Sequence, residues 1–303
     1  MKILLATDGS DTARAATDFL LALPLPPNTE VTVMTVVKEV LHADEVQKLS
    51  AEHREAFDQA TEAADAEVRR LLDAEVERVR QAGLGASGQV RRGHPAEEIV
   101  RLASELRSDI VTVGSHGWGG AKRFLLGSVS DRVFEYAPCS VLVVKPATAD
   151  AQPASAAAGK DRPWRLLLAY DDSPPARKAV ELCASLPLPS QAEIHAITVM
   201  PMIRMYRQDI RQQLSWMWQN KKRAAETALQ SVATQVGAKG ITVSTELTED
   251  ANVSQGVLDA AARHRSDLIV VGHKGKKAFE RFLTGSVTAR IAHHAPCLSL
   301  IHI

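Results

Sequence analysis

Short, continuously apolar runs alternate with longer amphipathic stretches along this chain. Ile110-Val111-Thr112-Val113 and Val141-Leu142-Val143-Val144 show no polar alternation. Such runs suit strands covered on both faces, as in a parallel sheet flanked by helices. In the first half the pattern predicts strands near 2–7, 30–37, 86–91, 109–114 and 140–145, and helices near 11–23, 45–82, 95–106 and 127–137. Pro95, directly after Gly93-His94, suits the first position of a helix, where a missing N–H costs nothing. Five strands joined by right-handed helical crossovers give a doubly wound α/β sheet.

The same pattern returns in the second half. Residues 3–18 read ILLATDGSDTARAATD and residues 166–181 read LLLAYDDSPPARKAVE. Asp8 falls on Asp171, Ser10 on Ser173 and Arg14 on Arg177. Leu23-Pro24-Leu25-Pro26 matches Leu186-Pro187-Leu188-Pro189 at the same offset. Later, Ser108-Asp109-Ile110 pairs with Ser266-Asp267-Leu268, and Gly127-Ser128-Val129 with Gly285-Ser286-Val287. Both copies close on Ala-Pro-Cys, at 137–139 and 295–297. Internal repetition of this kind sets the architecture. It predicts two tandem α/β domains, 1–146 and 163–303, joined by an Ala/Pro-rich linker at 147–162.

Composition narrows the function classes. Two domains also suit the length, 303 residues at about 150 per domain. Lys plus Arg and Asp plus Glu are 36 each, so the formal net charge is zero. A nucleic-acid binder would show a basic excess or stripe, and none is expected here as a partner. No apolar run approaches the roughly 18 residues of a membrane span. Met1–Ala6 is too short for a signal-peptide core and reads as a first strand. Cys139, Cys183 and Cys297 form no CxxC and no even framework, so a reducing, cytoplasmic setting is expected. Cys139 and Cys297 open the last strand of each copy and read as small buried thiols.

The candidate chemistry lies where a doubly wound sheet binds ligands, beyond the carboxyl ends of its strands. After the first strand comes Asp8, or Asp171 in the second copy. After the fourth comes Gly114-Ser115-His116-Gly117, then nine residues, then Gly127-Ser128. The second copy has Gly272-His273-Lys274-Gly275, nine residues, then Gly285-Ser286. Gly114 and Gly117 can take positive φ and let a phosphate approach the backbone. Gly127-Ser128 opens a helix whose first N–H groups point at any anion, with Ser128 able to cap it. His116 and Lys274 can add positive charge. Asp8 is a poor phosphate neighbour but a good acceptor for ribose hydroxyls or an adenine amino group.

These motifs resemble the universal stress proteins, and the resemblance covers roughly 1–145 and 164–303. It implies an adenine-nucleotide alpha hydrolase-like sheet of strand order 3-2-1-4-5 in each copy. It also implies pairing of the two domains within the chain, with whole chains forming a homodimer. The implied ligand is ATP, alone or with Mg²⁺. Carried over, the site residues are Asp8, Val36, Gly114, Gly117, Gly127 and Ser128, flanked by Ala6, Thr7, Val113, His116, Val129 and Ser130. In the second copy they are Asp171, Val199, Gly272, Gly275, Gly285 and Ser286, with Ala169, Lys274, Val287 and Thr288. Tyr170 stands where the first copy has Thr7 and can crowd the second site.

Other signals are weaker. Gly83-Leu84-Gly85-Ala86-Ser87-Gly88 fits G-x-G-x-x-G, but it follows a helix and precedes a strand, the reverse of a dinucleotide fingerprint. It reads as a helix C-cap and loop. No GxxxxGK[ST], HExxH or Cys/His metal spacing appears, and no catalytic residue is named. His42, His53 and His94 are expected to face solvent. Met200–Tyr206 and Trp216-Met217-Trp218 are rich in large apolar residues, which either pack a long helix on the sheet or form a partner surface. The leading reading is a non-catalytic, ATP-responsive stress or regulatory module. A slow ATPase and a nucleotide-free scaffold are the alternatives.

Overall fold

The computed structural model describes residues 1–38, 50–117, 126–145, 162–202, 208–237, 240–273, 286–295 and 298–302. The chain divides into two compact units, the first drawn mainly from residues 1–144 and the second mainly from 145–303. The predicted linker thus falls almost wholly outside the described residues.

The first unit runs β1 (Lys2–Ala6), α1 (Asp11–Ala22), β2 (Glu30–Val37), α2 (Ala51–Gln81), β3 (Gly85–Arg92), α3 (Pro95–Leu106), β4 (Ile110–Gly114), α4 (Ser128–Tyr136) and β5 (Ser140–Val144). All its strand pairs are parallel, and they give the order 3-2-1-4-5. The strands sit within a residue or two of the sequence expectation. The continuous apolar runs become β4 and β5, and both are buried along their length. Leu4, Leu5, Val33, Val111 and Val143 of the strands and Phe19, Leu20, Val79 and Val133 of the helices are all fully buried. Each such side chain contributes roughly 1.5–3 kcal/mol by leaving water.

Helix ends follow local chemistry. Ser50 caps α2 by accepting a bond from the His53 N–H. Gly83, past the α2 C-terminus, takes φ +84°, a left-handed conformation that a Cβ would strain. The glycine-rich 83–88 segment is therefore a helix stop, as expected, but Gly85–Gly88 already belong to strand β3 and not to a loop. His53 and His94 are both exposed, and His42 lies outside the described residues.

The second unit runs β6 (Arg165–Ala169), α5 (Pro174–Ser185), β7 (Glu193–Pro201), α6 (Gln208–Gly237), β8 (Thr242–Asp250), α7 (Val253–Arg263), β9 (Leu268–Gly272), α8 (Ser286–His294) and β10 (Leu298–His302). Its parallel pairs repeat the 3-2-1-4-5 order. The copies share small fastenings as well. The Lys2 N–H donates to Asp109 Oδ2 at 2.7 Å, and the Arg165 N–H donates to Asp267 Oδ2 at 2.9 Å.

Three details depart from the sequence reading. Arg162, placed at the end of the linker, donates both guanidinium arms to the buried Asp267 and belongs to the second unit's packing. Cys139 lies just before β5 and is only partly buried, while Cys183 is the fully buried thiol. Cys297 lies outside the described residues. Trp216 and Met217, near the start of α6, stand 64% and 39% exposed, so they do not pack on the sheet. Among the described side chains of α6, Leu229, Val232 and Val236 are buried.

Candidate functional site

The end of β1 is shaped by the sequence Thr7-Asp8-Gly9-Ser10. The Thr7 N–H donates to the Met34 carbonyl at 2.9 Å, extending the β1–β2 ladder. Asp8 then turns the chain by accepting the Ser10 N–H at 3.0 Å. Gly9 takes φ +76°, and a Cβ there would lie 2.2 Å from Leu71 Cδ1. Ser10 Oγ accepts from the Ala13 N–H and so starts α1. The turn leaves the Asp8 side chain exposed at the strand end.

The facing wall comes from β4. The Ser115 N–H donates to the Val144 carbonyl at 2.7 Å, and the Ser115 carbonyl accepts from the Gly127 N–H and from Ser130 Oγ, each at 2.7 Å. Ser115 and Ser130 are both buried, so these bonds fix the two ends of the loop on either side of residues 118–125. Thr12 Oγ1 also donates to the His116 carbonyl. His116 Nδ1 lies 3.1 Å from Ser115 Oγ.

The glycines serve the site differently from the sequence expectation. Neither Gly114 nor Gly117 takes positive φ. A Cβ on Gly114 would stand 2.8 Å from the Thr12 carbonyl carbon, so this glycine lets α1 approach β4. Gly272 does the same in the second unit, where a Cβ would stand 2.5 Å from the Ala176 nitrogen. A Cβ on Gly117 would lie 2.6 Å from Asp8 Oδ2, which shows how close the loop comes to the carboxylate. Ser128 is the first residue of α4 and not its cap. Gly127 holds the cap position, with no side-chain cap bond. Gly127 has no side chain to cap them, so among the described residues the first N–H groups of α4 have no cap from that position and can receive an anion.

These walls enclose a cavity of about 440 Å³. Ala6, Thr7, Asp8, Val36, Val113, Gly114, His116, Gly117, Gly127, Ser128, Val129 and Ser130 all line it. Sequence reasoning missed Ala13, Met34, Pro95 and Ile99, which complete the lining. They carry no motif; only the α3 periodicity and the parallel register could have pointed to them. The cavity has two characters. Ala6, Met34, Val36, Pro95 and Ile99 make an apolar side, and Gly117, Gly127, Ser128 and Ser130 a polar one.

In the second unit a cavity of about 320 Å³ occupies the equivalent place. Ala169, Asp171, Val199, Gly272, Val287 and Thr288 line it as expected. Tyr170, Ser173, Ala176, Ile197, Val253, Val257, Val271 and Ile291 join them. Lys274, Gly275 and Gly285 lie outside the described residues, and Ser286 opens α8. Thr288 Oγ1 donates to the Gly272 carbonyl at 3.3 Å. Tyr170 lines this cavity, and its hydroxyl donates to Asp172 Oδ1 at 2.8 Å. Burial, then the Asp172 carboxylate, raise the Tyr170 hydroxyl above its ordinary range. The Arg177 and Tyr170 hydrogen bonds hold Asp172 below the usual carboxylate range. Tyr170 is therefore a neutral, anchored wall.

Comparison with known proteins agrees with this geometry. A model of the universal stress protein family matches residues 1–145 and again 164–301. The universal stress protein YxiE of Bacillus subtilis is 30% identical over 145 residues, 48% of this chain and 98% of the relative. The universal stress protein MJ0531 of Methanocaldococcus jannaschii is 31% identical over 144 residues, 48% of this chain and 81% of that one. A crystal structure of a universal stress protein from Archaeoglobus fulgidus superposes with a TM-score of 0.66, covering 99% of this chain and 95% of its own, at 20% identity. Among the described residues no helix is long and apolar enough to cross a membrane. The chain belongs to the universal stress protein family.

Proposed function

We propose that this universal stress protein family member binds ATP in the first-unit cavity, and a second adenine nucleotide in the second unit, as a non-catalytic regulatory module. The observation that carries the reading is the pairing of Asp8 with the N-terminus of α4 across one cavity. A helix N-terminus with unpaired N–H groups favours phosphate oxygens. Gly127, Ser128 and Ser130 would hold them, with Gly117 close by. The apolar side at Met34, Val36, Pro95 and Ile99 suits a flat base, and Asp8 can accept from the ribose or the base. A cavity of about 440 Å³ is within the ordinary size of small-ligand sites. If Mg²⁺ accompanies the nucleotide, it would lie against the phosphates, where it neutralises charge.

Binding is favoured over hydrolysis by what lines the site. Among the described lining residues, Asp8 and His116 are the only titratable side chains. Hydrolysis needs a group to orient water and usually a carboxylate for the metal. Asp8 cannot serve both needs and hold the nucleoside. We also infer that the two halves associate with each other and that whole chains dimerise. A scaffold reading has one supporting observation, the exposed Met202, Trp216 and Met217. Calorimetric titration of the full chain with ATP and with GTP tests the main reading. Saturable ATP binding supports it, and heat changes no larger than dilution sink it.

A further inference from the structure

We propose that His195, Glu246 and His264 form a binding site for a divalent transition-metal ion of the zinc type, outside both nucleotide cavities. His195 is the third residue of β7, Glu246 lies on β8, and His264 caps the C-terminus of α7. One ligand atom from each lies within 4.8 Å of the others. His195 Nε2 and Glu246 Oε2 are 3.0 Å apart, and His264 Nε2 and Glu246 Oε2 are 3.5 Å apart. Donor atoms about 2.0–2.2 Å from a tetrahedral zinc sit roughly 3.3–3.6 Å from one another, so the two nitrogen–oxygen spacings are close to what an ion needs.

The surroundings suit ligation. His195 Nδ1 lies 2.7 Å from Ser244 Oγ, the supporting bond that fixes a ligating imidazole's ring and tautomer. Arg263 donates to Glu246 Oε1 at 2.7 Å, which orients the carboxylate and leaves Oε2 toward the imidazoles. The two rings stack at 3.5 Å, and tetrahedral ligation spreads them to roughly 5 Å between centroids, which the half-exposed His264 can accommodate at the surface. Burial opposes the ionised form of Glu246, but its bonds to His195 and Arg263 prevail and hold it below the usual carboxylate range. Exposure of 11%, 28% and 37% for His195, Glu246 and His264 leaves solvent a way to a fourth position. Two imidazoles and one carboxylate prefer zinc-like ions over Mg²⁺ or Ca²⁺, which take oxygen ligands.

The repeat supplies a second line of evidence. The β2–β3 and β7–β8 registers align Thr32 with His195, and Gln89 with Glu246. Arg107 and Arg265, both at positive φ, align Leu106 with His264. Thr32, Gln89 and Leu106 offer no such ligand set, so all three ligands are particular to the second unit.

The test is Zn²⁺ titration of the full chain against a chromophoric chelator at pH 7.5, with Co²⁺ absorption as the coordination signature. We expect one site per chain, unaffected by millimolar Mg²⁺. His195→Gln and His264→Gln should each weaken it by more than the roughly 10- to 100-fold expected for the supporting Ser244→Ala. Thermal melts in EDTA establish that the variants are folded. Should either His variant fail to fold, Glu246→Gln and Ser244→Ala decide by the same readout. The proposal is overturned if the wild-type chain binds no Zn²⁺, or if folded variants keep its affinity and stoichiometry.

Discussion

Replacing Asp8 by Asn isolates the nucleoside contact with little disturbance of the fold. In the structure Asp8 Oδ1 accepts the Ser10 N–H at 3.0 Å, and the amide oxygen of Asn can keep that bond. Asp8→Ala cannot, so the alanine variant also loosens the start of α1, by about 0.5–1.5 kcal/mol. The Oδ2 side, which faces Gly117, becomes an NH₂ donor in the Asn variant. A ribose hydroxyl or adenine amino group that donates to the carboxylate then loses a charge-assisted partner. Such bonds are worth about 1.5–3 kcal/mol, which corresponds to roughly 10- to 150-fold in affinity. Removing a negative charge beside a polyphosphate works the other way. If Asp8 had no specific contact, Asp8→Asn would bind ATP slightly more tightly. The assay is calorimetric titration of the full chain with ATP, for wild type, Asp8→Asn, Asp171→Asn and the double variant. Loss confined to one site in each single variant is the expected result. Unchanged or tighter binding in Asp8→Asn would refute the placement of the nucleoside over β1.

Other outcomes follow from the same geometry. Gly117→Glu puts a bulky acid against Asp8, and should abolish ATP binding at the first site while leaving the melting temperature within a few degrees of wild type. Ser130→Ala removes the bonds to the Ser115 and Gly127 carbonyls; it should cost about 1–3 kcal/mol in urea unfolding, with weaker ATP binding, and an unchanged midpoint would contradict this. Arg162→Ala leaves the buried Asp267 carboxylate without its guanidinium partner, keeping the Arg165 N–H, and should cost about 3 kcal/mol, against almost nothing if residue 162 were linker. Burial pushes the Cys183 thiol up to about 12, so it stays a protonated thiol through neutral pH. Native protein at pH 8 should therefore resist alkylation at Cys183, and rapid labelling there would show that α5 opens.

The sheet was legible because parallel strands covered on both faces leave unbroken apolar runs. Val141–Val144 can scarcely be anything but a buried strand. That twelve of the residues expected at the first site line one cavity was legible because strand ends and glycine spacings are local signals, repeated in both copies. Their individual roles were less so. Gly114 reads as a phosphate-approach glycine until the Thr12 backbone is seen against it. Ile99 and Pro95 reach the cavity through the way α3 lies on the sheet, which no motif encodes. The Arg162–Asp267 pair and the His195–Glu246 contact join residues 105 and 51 positions apart, beyond any spacing rule. Composition hid Arg162 as well, since it abuts a stretch of Ala and Pro.

Native mass spectrometry of the full chain, before and after incubation with ATP and Mg²⁺, tests the central claim most directly. The account predicts mass increments of one and two ATP. It also predicts that the bound species remains ATP. A chain that carries no nucleotide at millimolar ATP, or that returns ADP within minutes, would contradict it.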